Sequence, residues 1–383
     1  MTKRILTFVL NYFPGYLSGG VARTILNTTA WLGDDFKFLI VTRDRDLGSD
    51  APYTDVALDA WNPMGPADVR YLAPSELSMG RLARFINATD HDLIHFNSFL
   101  DPVFTIRVML LMKLGRIRRV PVLMSPRGEF GAGSLALKYP KKKAYIEAVR
   151  LLRFYDGVTW HASSPYEAEE MAAVMKLPLD AIKVALDLPV RHAAGANGVA
   201  PGAAGPLRVV YLSRVSREKN LDGALRILHH VKSPVSFDIV GPQEDGRYWQ
   251  ECEALVRTLP PHVQAAYRGP VAPDQVFDTL ARHDLLLLPS LGENYGHVIA
   301  ESIAVGTRVL VSTLTPWRDL QRDGLGWDLD LADLPRFAHV IDTLAAESPA
   351  ERHAARERAR AAATARLLDP KALEDNRSLF ATL

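Results

Sequence analysis

Short runs rich in Val, Ile, Leu and Phe alternate along this chain with longer stretches of helical periodicity. This alternation is typical of parallel β-sheets that are covered by helices on both faces. The sequence therefore predicts an α/β fold with doubly wound sheets. Strands are expected in the first half at 4–10, 36–43, 92–97, 120–126, 157–162 and 183–188, and in the second half at 207–213, 235–240, 284–289 and 308–312.

One segment without periodic apolar residues separates the two sets of strands. It spans 191–206 (RHAAGANGVAPGAAGP), and its Ala, Gly and Pro content is typical of an interdomain linker. A chain of 383 residues also exceeds the size at which one hydrophobic core stops growing. We therefore predict a first domain over 1–190, a second domain over 207–362 and a C-terminal helix over 363–383 that packs back on the first domain. Pro370 should break the helical tail.

Composition excludes several classes of protein. The formal net charge is +1, so no global basic field indicates a nucleic-acid partner. Cys252 is the single cysteine, which rules out an intrachain disulfide and a zinc site built from several thiolates. Apolar runs all fall short of the roughly 18 residues that a membrane-spanning helix requires. We therefore expect a cytoplasmic protein, either soluble or peripheral at a membrane.

The segment 289–306 (PSLGENYGHVIAESIAVG) has the pattern of a ligand-binding loop. An apolar strand runs into a loop with Glu293 and Gly296, and a helix that contains Glu301 follows. In open α/β sheets, ligands bind at the C-terminal edge of the strands, where such loops lie. A helix that begins near Gly296 would direct its free N–H groups and the positive end of its dipole toward a bound phosphate.

Two cations follow another predicted strand in the segment 209–221 (VVYLSRVSREKNL). Arg214 and Lys219 lie in the loop between that strand and the next helix. Two positive charges at the end of a strand suit a diphosphate, although a solvated basic loop would show the same residues.

The spacing Glu293-x7-Glu301, between a Pro-Ser loop and Gly306, resembles the signature of the retaining glycosyltransferases of family 4, or glycosyl transferases group 1. The resemblance implies the GT-B architecture, in which two Rossmann-like domains face each other across a cleft. It also implies that Glu293 binds hydroxyls of the donor sugar and that Glu301 holds the ribose. By the same resemblance, Arg214 and Lys219 neutralise the departing diphosphate. Further donor contacts are implied at Asn294, Tyr295, Gly296 and His297.

The implied reaction needs little more than stabilisation of the leaving group. As the sugar C–O bond breaks, negative charge collects on the diphosphate, and each preorganised donor contributes about 3 kcal/mol. We therefore expect no metal ion and no cofactor, with a GDP- or UDP-linked sugar as co-substrate. The triplet Asp44-Arg45-Asp46 matches a DxD pattern, but it follows an early strand and is interpreted as a loop.

A glycine-rich loop follows the first strand. Gly19 and Gly20 precede a predicted helix, and a glycine turn before a helix N-terminus can hold an anion. The loop is not GxGxxG, which argues against a nicotinamide-dependent oxidoreductase. Its position resembles the Gly-Gly loop of GT-B enzymes that closes over the donor phosphates and the acceptor.

Four further residues of the first half are candidates for the acceptor or the cleft. In DLIHFNS (92–98), His95 is either a cleft residue or a buried core histidine. Asn97 stands where related enzymes often carry a histidine, and it is expected to face the cleft. In SPRGEF (125–130), Arg127 could contact phosphate or sugar, or form a structural ion pair; Glu129 lies beside it.

The stretch 101–153 is strongly basic, with twelve Lys or Arg against three Asp or Glu. The densest runs are 116–119 and 141–143. This asymmetry indicates an anionic partner, for which we favour a membrane surface bearing a lipid-linked acceptor; ordinary solvated helix faces are the alternative.

Together, these features predict a retaining, metal-independent hexosyltransferase. It would move a sugar from a nucleotide donor to a glycan or lipid-linked acceptor in cell-envelope polysaccharide or lipopolysaccharide synthesis, at the inner face of the plasma membrane. A sugar-nucleotide epimerase, a phosphorylase, or a non-catalytic nucleotide-binding module on the same fold remain alternatives.

Overall fold

The computed structural model describes residues 2–15, 19–58, 60–131, 135, 139–191 and 205–383. The chain forms two compact units, one of Met1–Arg191 with Pro370–Leu383 and one of His192–Asp369. Most of the predicted linker, residues 192–204, lies outside the described residues.

The first unit is built on an eight-stranded sheet. Its strands are β1 Lys3–Phe8, β2 Phe36–Arg43, β3 Trp61–Met64, β4 Ala67–Leu72, β5 Leu93–Phe96, β6 Val122–Met124, β7 Thr159–Ala162 and β8 Ile182–Val184. Their order is β3-β4-β2-β1-β5-β6-β7-β8, and all neighbours are parallel except β3 and β4. Neither β3 nor β4 was predicted from the sequence. Strand β3 is short and contains Asn62 and Pro63, and in β4 polar Asp68 and Arg70 alternate with apolar residues instead of forming a continuous apolar run.

Both faces of this sheet are covered by helices. Among the residues of this unit that the structure describes, α-helices occur at α1 Gly20–Leu32, α2 Met79–Ala88, α3 Arg107–Lys113, α4 Tyr139–Leu151 and α5 Pro165–Met175, and a C-terminal helix joins them. Along β2, Phe38 and Ile40 face one hydrophobic cluster while Leu39 and Val41 face the other. This period of two on a strand buried on both faces confirms the doubly wound prediction.

The part of the second unit that the structure describes contains one sheet of six parallel strands. They are β9 Leu207–Leu212, β10 Val235–Val240, β11 Val263–Gly269, β12 Leu285–Leu288, β13 Arg308–Ser312 and β14 Gly326–Leu329. Their order is β11-β10-β9-β12-β13-β14, so β11 and β14 are the edges. Neither edge strand was predicted, because both are partly exposed and contain polar residues.

The described residues of this unit also form six α-helices: α6 Leu221–His229, α7 Gly246–Val256, α8 Val276–Ala281, α9 His297–Ala304, α10 Leu334–Ala345 and α11 Pro349–Leu367. The strand order reverses between β9 and β12, because the chain builds outward from β9 through β10 and β11 and then returns to the other side of β9. Such a reversal leaves a crevice at the C-terminal ends of the two central strands.

The C-terminal tail consists of two helices that separate before Pro370. Helix α11 continues to Leu367, and α12 occupies Pro370–Ala381, so the predicted boundary at 363 is wrong. Helix α11 begins with a capping box, which fixes its start rather than its end. Leu379 and Phe380 of α12 are buried in the hydrophobic cluster that also contains Phe36 and Phe38 of the first unit.

Among the described residues, no helix combines the length and the apolar character that crossing a bilayer requires.

Candidate active site

The two loops at the reversal of strand order in the second unit are held together by hydrogen bonds. The loop after β9 carries Glu218 and Asn220, and the loop after β12 carries Pro289 and Leu291. The Leu291 N–H donates to the Glu218 carbonyl at 2.8 Å, and the Asn220 amide donates to the Pro289 carbonyl at 2.8 Å. These contacts fix the register of the loops, so that Lys219 and Glu293 meet.

Lys219 and Glu293 form an ion pair at this point. The Lys219 Nζ donates to the Glu293 Oε1 at 2.8 Å, and their side chains are only 12% and 9% exposed. A charge pair so far removed from water requires close partners, because isolated buried charges are strongly unfavourable. The structure therefore brings together the two residues predicted for the diphosphate and the donor sugar.

Arg214 lies on the same loop as Lys219 and is held by the neighbouring loop after β10. The Val215 N–H donates to the Pro242 carbonyl at 2.8 Å, and the Glu244 N–H donates to the Val215 carbonyl at 3.3 Å. Gly241 has φ +142°, and a Cβ there would lie 1.9 Å from the Ser213 carbonyl oxygen, so only glycine permits this approach.

The Arg214 side chain is paired with the carboxylate of Glu244, which was not among the site residues predicted from the sequence. Its Nη1 donates to both oxygens of Glu244, at 2.9 and 2.8 Å. A second carboxylate, that of Glu218, lies 3.9 Å from Nη2. Glu244 follows β10 as Arg214 follows β9, so its place at the same sheet edge was the signal that could have identified it.

Gly296 is the N-cap of α9, as predicted. Its φ of 82° and ψ of 60° are left-handed, a conformation that favours glycine. A Cβ at this position would lie 2.9 Å from the Ile299 side chain. Because glycine has no side chain to cap the helix, this N-terminus can accept an anion as its capping group.

Trp317 supports the loop that precedes α9. Its indole Nε1 donates to the Tyr295 carbonyl at 2.6 Å, and the two rings lie 5.6 Å apart. The ring of His297 lies 4.8 Å from that of Tyr295. Asn294, Tyr295 and His297 are half-buried, whereas Glu301 is buried on α9. The predicted donor residues of this unit therefore occur on two adjoining loops and one short helix.

In the first unit, Gly19 is the N-cap of α1 with φ 76°, and Gly20 begins the helix. Both residues are exposed, and residues 16–18 of the same loop lie outside the described residues. The helix N-terminus therefore exists where it was predicted, with glycines before it.

His95 belongs to a buried hydrogen-bonded chain. Its Nε2 lies 3.0 Å from the Ser125 Oγ, which lies 2.7 Å from Nδ1 of His161; the Nε2 of His161 lies 3.0 Å from the Ala185 carbonyl oxygen. Burial lowers the pKa of both histidines, and that of His161 falls to about 4. The geometry is that of a neutral core histidine, the second of the two readings that the sequence allows for His95.

The side chains of Arg127 and Asn97 are buried. Arg127 donates from Nη1 to Asp187 at 2.8 Å and from Nε to the Asn97 Oδ1 at 3.1 Å. The Thr24 hydroxyl donates to the other oxygen of Asp187 at 2.8 Å. Arg127 thus has the geometry of the structural ion pair, and the expected outward position of Asn97 differs from the buried one observed.

Glu129 organises the loop after β5. It accepts hydrogen bonds from the Ser98 hydroxyl at 2.6 Å, the Phe99 N–H at 2.6 Å and the Leu100 N–H at 3.0 Å. Burial raises the pKa of this carboxyl to about 7. Glu129 is therefore a half-buried carboxyl that accepts hydrogen bonds from three groups of this loop.

Among the residues that the structure describes, no group of three or more His, Cys, Asp or Glu side chains is arranged to hold a metal ion. Asp44 of the DxD triplet is buried at the end of β2 and accepts a hydrogen bond from Arg45 at 2.8 Å. A metal-free reaction stays a prediction.

Comparison with known proteins agrees with this architecture. Residues 201–362 match the family model of glycosyl transferases group 1. HepE of Anabaena, solved in complex with UDP-glucose, is similar with a TM-score of 0.68 at 16% identity, covering 99% of this chain and 98% of that one.

Two further solved structures are similar over the same extent. WaaG, described as a glycosyltransferase involved in lipopolysaccharide biosynthesis, has a TM-score of 0.67 at 14% identity, covering 98% of this chain and 99% of that one. Sucrose-phosphate synthase from Thermosynechococcus elongatus has a TM-score of 0.67 at 18% identity, and both chains are covered 100%. No curated protein is significantly similar to this chain in sequence. The chain therefore has the GT-B fold, and its residues 201–362 match the glycosyl transferases group 1.

Proposed function

We propose that this chain is a retaining, metal-independent glycosyltransferase of family 4 that transfers a hexose from a nucleotide-diphosphate sugar. The observation that carries the proposal is the Lys219–Glu293 ion pair, 2.8 Å long, at the reversal of strand order in the second unit. Arg214 follows the same strand as Lys219, and Gly296, the N-cap of α9, follows Glu293 by three residues. Cations and a helix N-terminus stabilise the negative charge of a departing diphosphate, and a carboxylate can accept hydrogen bonds from the sugar hydroxyls.

The ion pair suggests how donor binding prepares the site. A diphosphate carries more negative charge than one carboxylate, so it competes for the Lys219 ammonium. Glu293 is then free to accept hydrogen bonds from donor hydroxyls. As the bond from the anomeric carbon to the diphosphate breaks, Arg214 and Lys219 stabilise the charge that develops on the leaving group. Attack from the same face gives retention.

The donor is proposed to be a UDP- or GDP-linked sugar. HepE, which has a similar fold, was solved with UDP-glucose, and this supports a uridine nucleotide as the first to test. The similarity to WaaG supports a glycan or lipid-linked acceptor of the cell envelope.

A peripheral position at the inner face of the plasma membrane is part of the proposal. Lys141 and Lys143 are exposed on α4 and Lys142 is half-buried, so this basic run is accessible to anionic lipid headgroups. Binding to vesicles that contain anionic lipid, and its loss at high salt, would test this point.

The donor assignment can be tested by thermal shift with UDP-, GDP- and ADP-sugars, since a ligand that binds only the folded state raises the melting temperature. The nucleotide that shifts the transition is then used in a transfer assay that measures nucleotide release with and without EDTA. We expect a shift with UDP or GDP sugars and a rate that EDTA does not change. Failure of all three donors to shift the transition would refute the proposal, and conversion of the donor without acceptor would identify an epimerase.

A further inference from the structure

Glu244 contacts the cation that the proposed function assigns to the diphosphate. Both of its carboxylate oxygens accept from one nitrogen of Arg214, at 2.9 and 2.8 Å. Its backbone is held by the paired loops after β9 and β10, since its N–H donates to the Val215 carbonyl. Asp245, the next residue, caps α7 by accepting from the Arg247 and Tyr248 N–H groups. Backbone contacts at Glu244 and at the neighbouring Asp245 therefore hold the Glu244 carboxylate beside Arg214.

The contact differs from a structural ion pair. The side chains of Arg214 and Glu244 are 30% and 41% exposed, so water competes with it, and such pairs contribute little to folding. In contrast, Asp284 is nearly buried and holds Arg208 through two side-chain bonds and one backbone bond. The Glu244 side chain can leave Arg214 without disturbing a core.

The negative charge of a ligand determines whether it can replace the Glu244 carboxylate at Arg214. A phosphate group binds a guanidinium through the same N–H donors as a carboxylate, and often through two parallel bonds. Glu244 and a diphosphate cannot both contact Arg214 Nη1, because their like charges repel at hydrogen-bond distance. The diphosphate carries the larger charge and displaces the carboxylate.

We propose that Glu244 is an internal competitor for the diphosphate of the donor, which occupies Arg214 in the empty site and lowers the affinity for the nucleotide both before and after transfer. This inference rests on the proposed function for its substrate. Glu244 thereby sets the affinity of the site for the nucleoside diphosphate that leaves. When Glu244 pairs with Arg214 again after transfer, it favours release of the nucleoside diphosphate.

The inference predicts that neutralising Glu244 tightens binding. Glu244→Gln keeps the length of the side chain and removes its charge, so the competition weakens. From the strength of exposed ion pairs, we expect UDP, or GDP if that is the nucleotide bound, to bind about two- to fivefold more tightly. Inorganic pyrophosphate should show the same gain, and uridine, which has no phosphate, should show none.

The matched control is Glu251→Gln. Glu251 pairs with Arg217 at 2.8 Å, and the side chains of Glu251 and Arg217 are 46% and 58% exposed. The substitution Glu251→Gln changes the net charge of the same unit by the same amount as Glu244→Gln. Calorimetric titrations of the wild-type chain, Glu244→Gln and Glu251→Gln with UDP, GDP, uridine and pyrophosphate separate the possible outcomes. We expect tighter diphosphate binding in Glu244→Gln alone, with a difference that shrinks at high salt.

Three other results would overturn the inference. Weaker or unchanged diphosphate binding in Glu244→Gln would mean that Glu244 positions Arg214 or is unrelated to it, and an equal gain in Glu251→Gln would mean a general charge effect. Absence of pyrophosphate binding in both the wild-type chain and Glu244→Gln would also overturn it. If pyrophosphate binds more tightly to Glu244→Gln but no nucleotide sugar is used, the inference stands and the proposed function fails.

Discussion

The ammonium of Lys219 lies 2.8 Å from the carboxylate of Glu293, although the two residues follow different central strands of the second sheet. The contact joins a residue proposed for the leaving group to a residue proposed for the sugar. Its position at the reversal of strand order is where α/β sheets bind ligands. The pair is therefore the natural target for the first test.

Replacing Lys219 should affect turnover far more than folding. Lys219→Ala removes a cation from the developing diphosphate charge, and we expect kcat to fall by about two to three orders of magnitude. The control is Arg217→Ala in the same turn, since Arg217 pairs with Glu251 instead. Nucleotide release and thermal unfolding are measured for both variants. A transfer rate for Lys219→Ala equal to that of Arg217→Ala would show that Lys219 has no role at the leaving group.

The two charges of the pair should be coupled in stability. Lys219→Met leaves a largely buried carboxylate without its cation, whereas the same change in a Glu293→Gln background leaves no charge behind. We expect the single variant to lose about 1–3 kcal/mol more than Lys219→Met loses in that background. Chemical unfolding of the four members of this cycle measures the difference. Additive losses would show that the ion pair does not form in solution.

Gly296 should tolerate no side chain. Its φ of 82° is strained for any other residue, and a Cβ would press on Ile299. Gly296→Ala is expected to cost about 1–2 kcal/mol and to weaken donor binding, because the start of α9 must shift. Gly292→Ala is the control in the same loop, since a Cβ there meets no atom within 4 Å. Equal behaviour of the two variants in unfolding and nucleotide titration would contradict the assigned cap geometry.

Much of the second unit could be predicted from the sequence, because its central strands are continuous apolar runs such as Leu285–Leu288. Edge strands were missed, since β11 and β14 are half-exposed and carry polar residues. The meeting of Lys219 with Glu293 required the register of two loops, which is set by backbone hydrogen bonds that residue types do not reveal.

The first unit was harder to interpret for a different reason. Arg127 pairs with Asp187, 60 residues away, and His95 reaches His161 through Ser125. Partners so distant in sequence cannot be assigned from local patterns. From the sequence alone, a polar residue at the end of a strand cannot be distinguished from a ligand-binding residue, because its buried partner is not known.

The buried histidine chain should make the first unit sensitive to acid. Burial lowers the pKa of His161 to about 4 from an ordinary value near 6.5, so the unfolded chain binds the proton more readily than the folded one. The neutral His161 side chain therefore contributes about 3 kcal/mol to the free energy of unfolding. This contribution is complete above about pH 6.5 and is lost as the pH falls through 4. His161→Asn should flatten this slope in denaturant titrations between pH 4 and 7. An unchanged slope would show that His161 is not the group responsible.

The Glu129 carboxyl should change the free energy of unfolding with pH in the direction opposite to His161. Burial raises the pKa of its carboxyl to about 7 from 4.5, so the folded chain holds the proton that the unfolded chain releases. Its contribution to stability is complete below about pH 4.5 and is lost as the pH rises through 7. Glu129→Gln stays uncharged throughout, so its free energy of unfolding should increase relative to that of the wild type as the pH rises from 4.5 to 7. Unfolding titrations of the two proteins at matched pH values measure that difference, and because His161 is present in both, its opposing slope cancels. A difference that does not vary with pH would mean that the Glu129 carboxyl titrates at its ordinary value and that its three hydrogen bonds offset its burial.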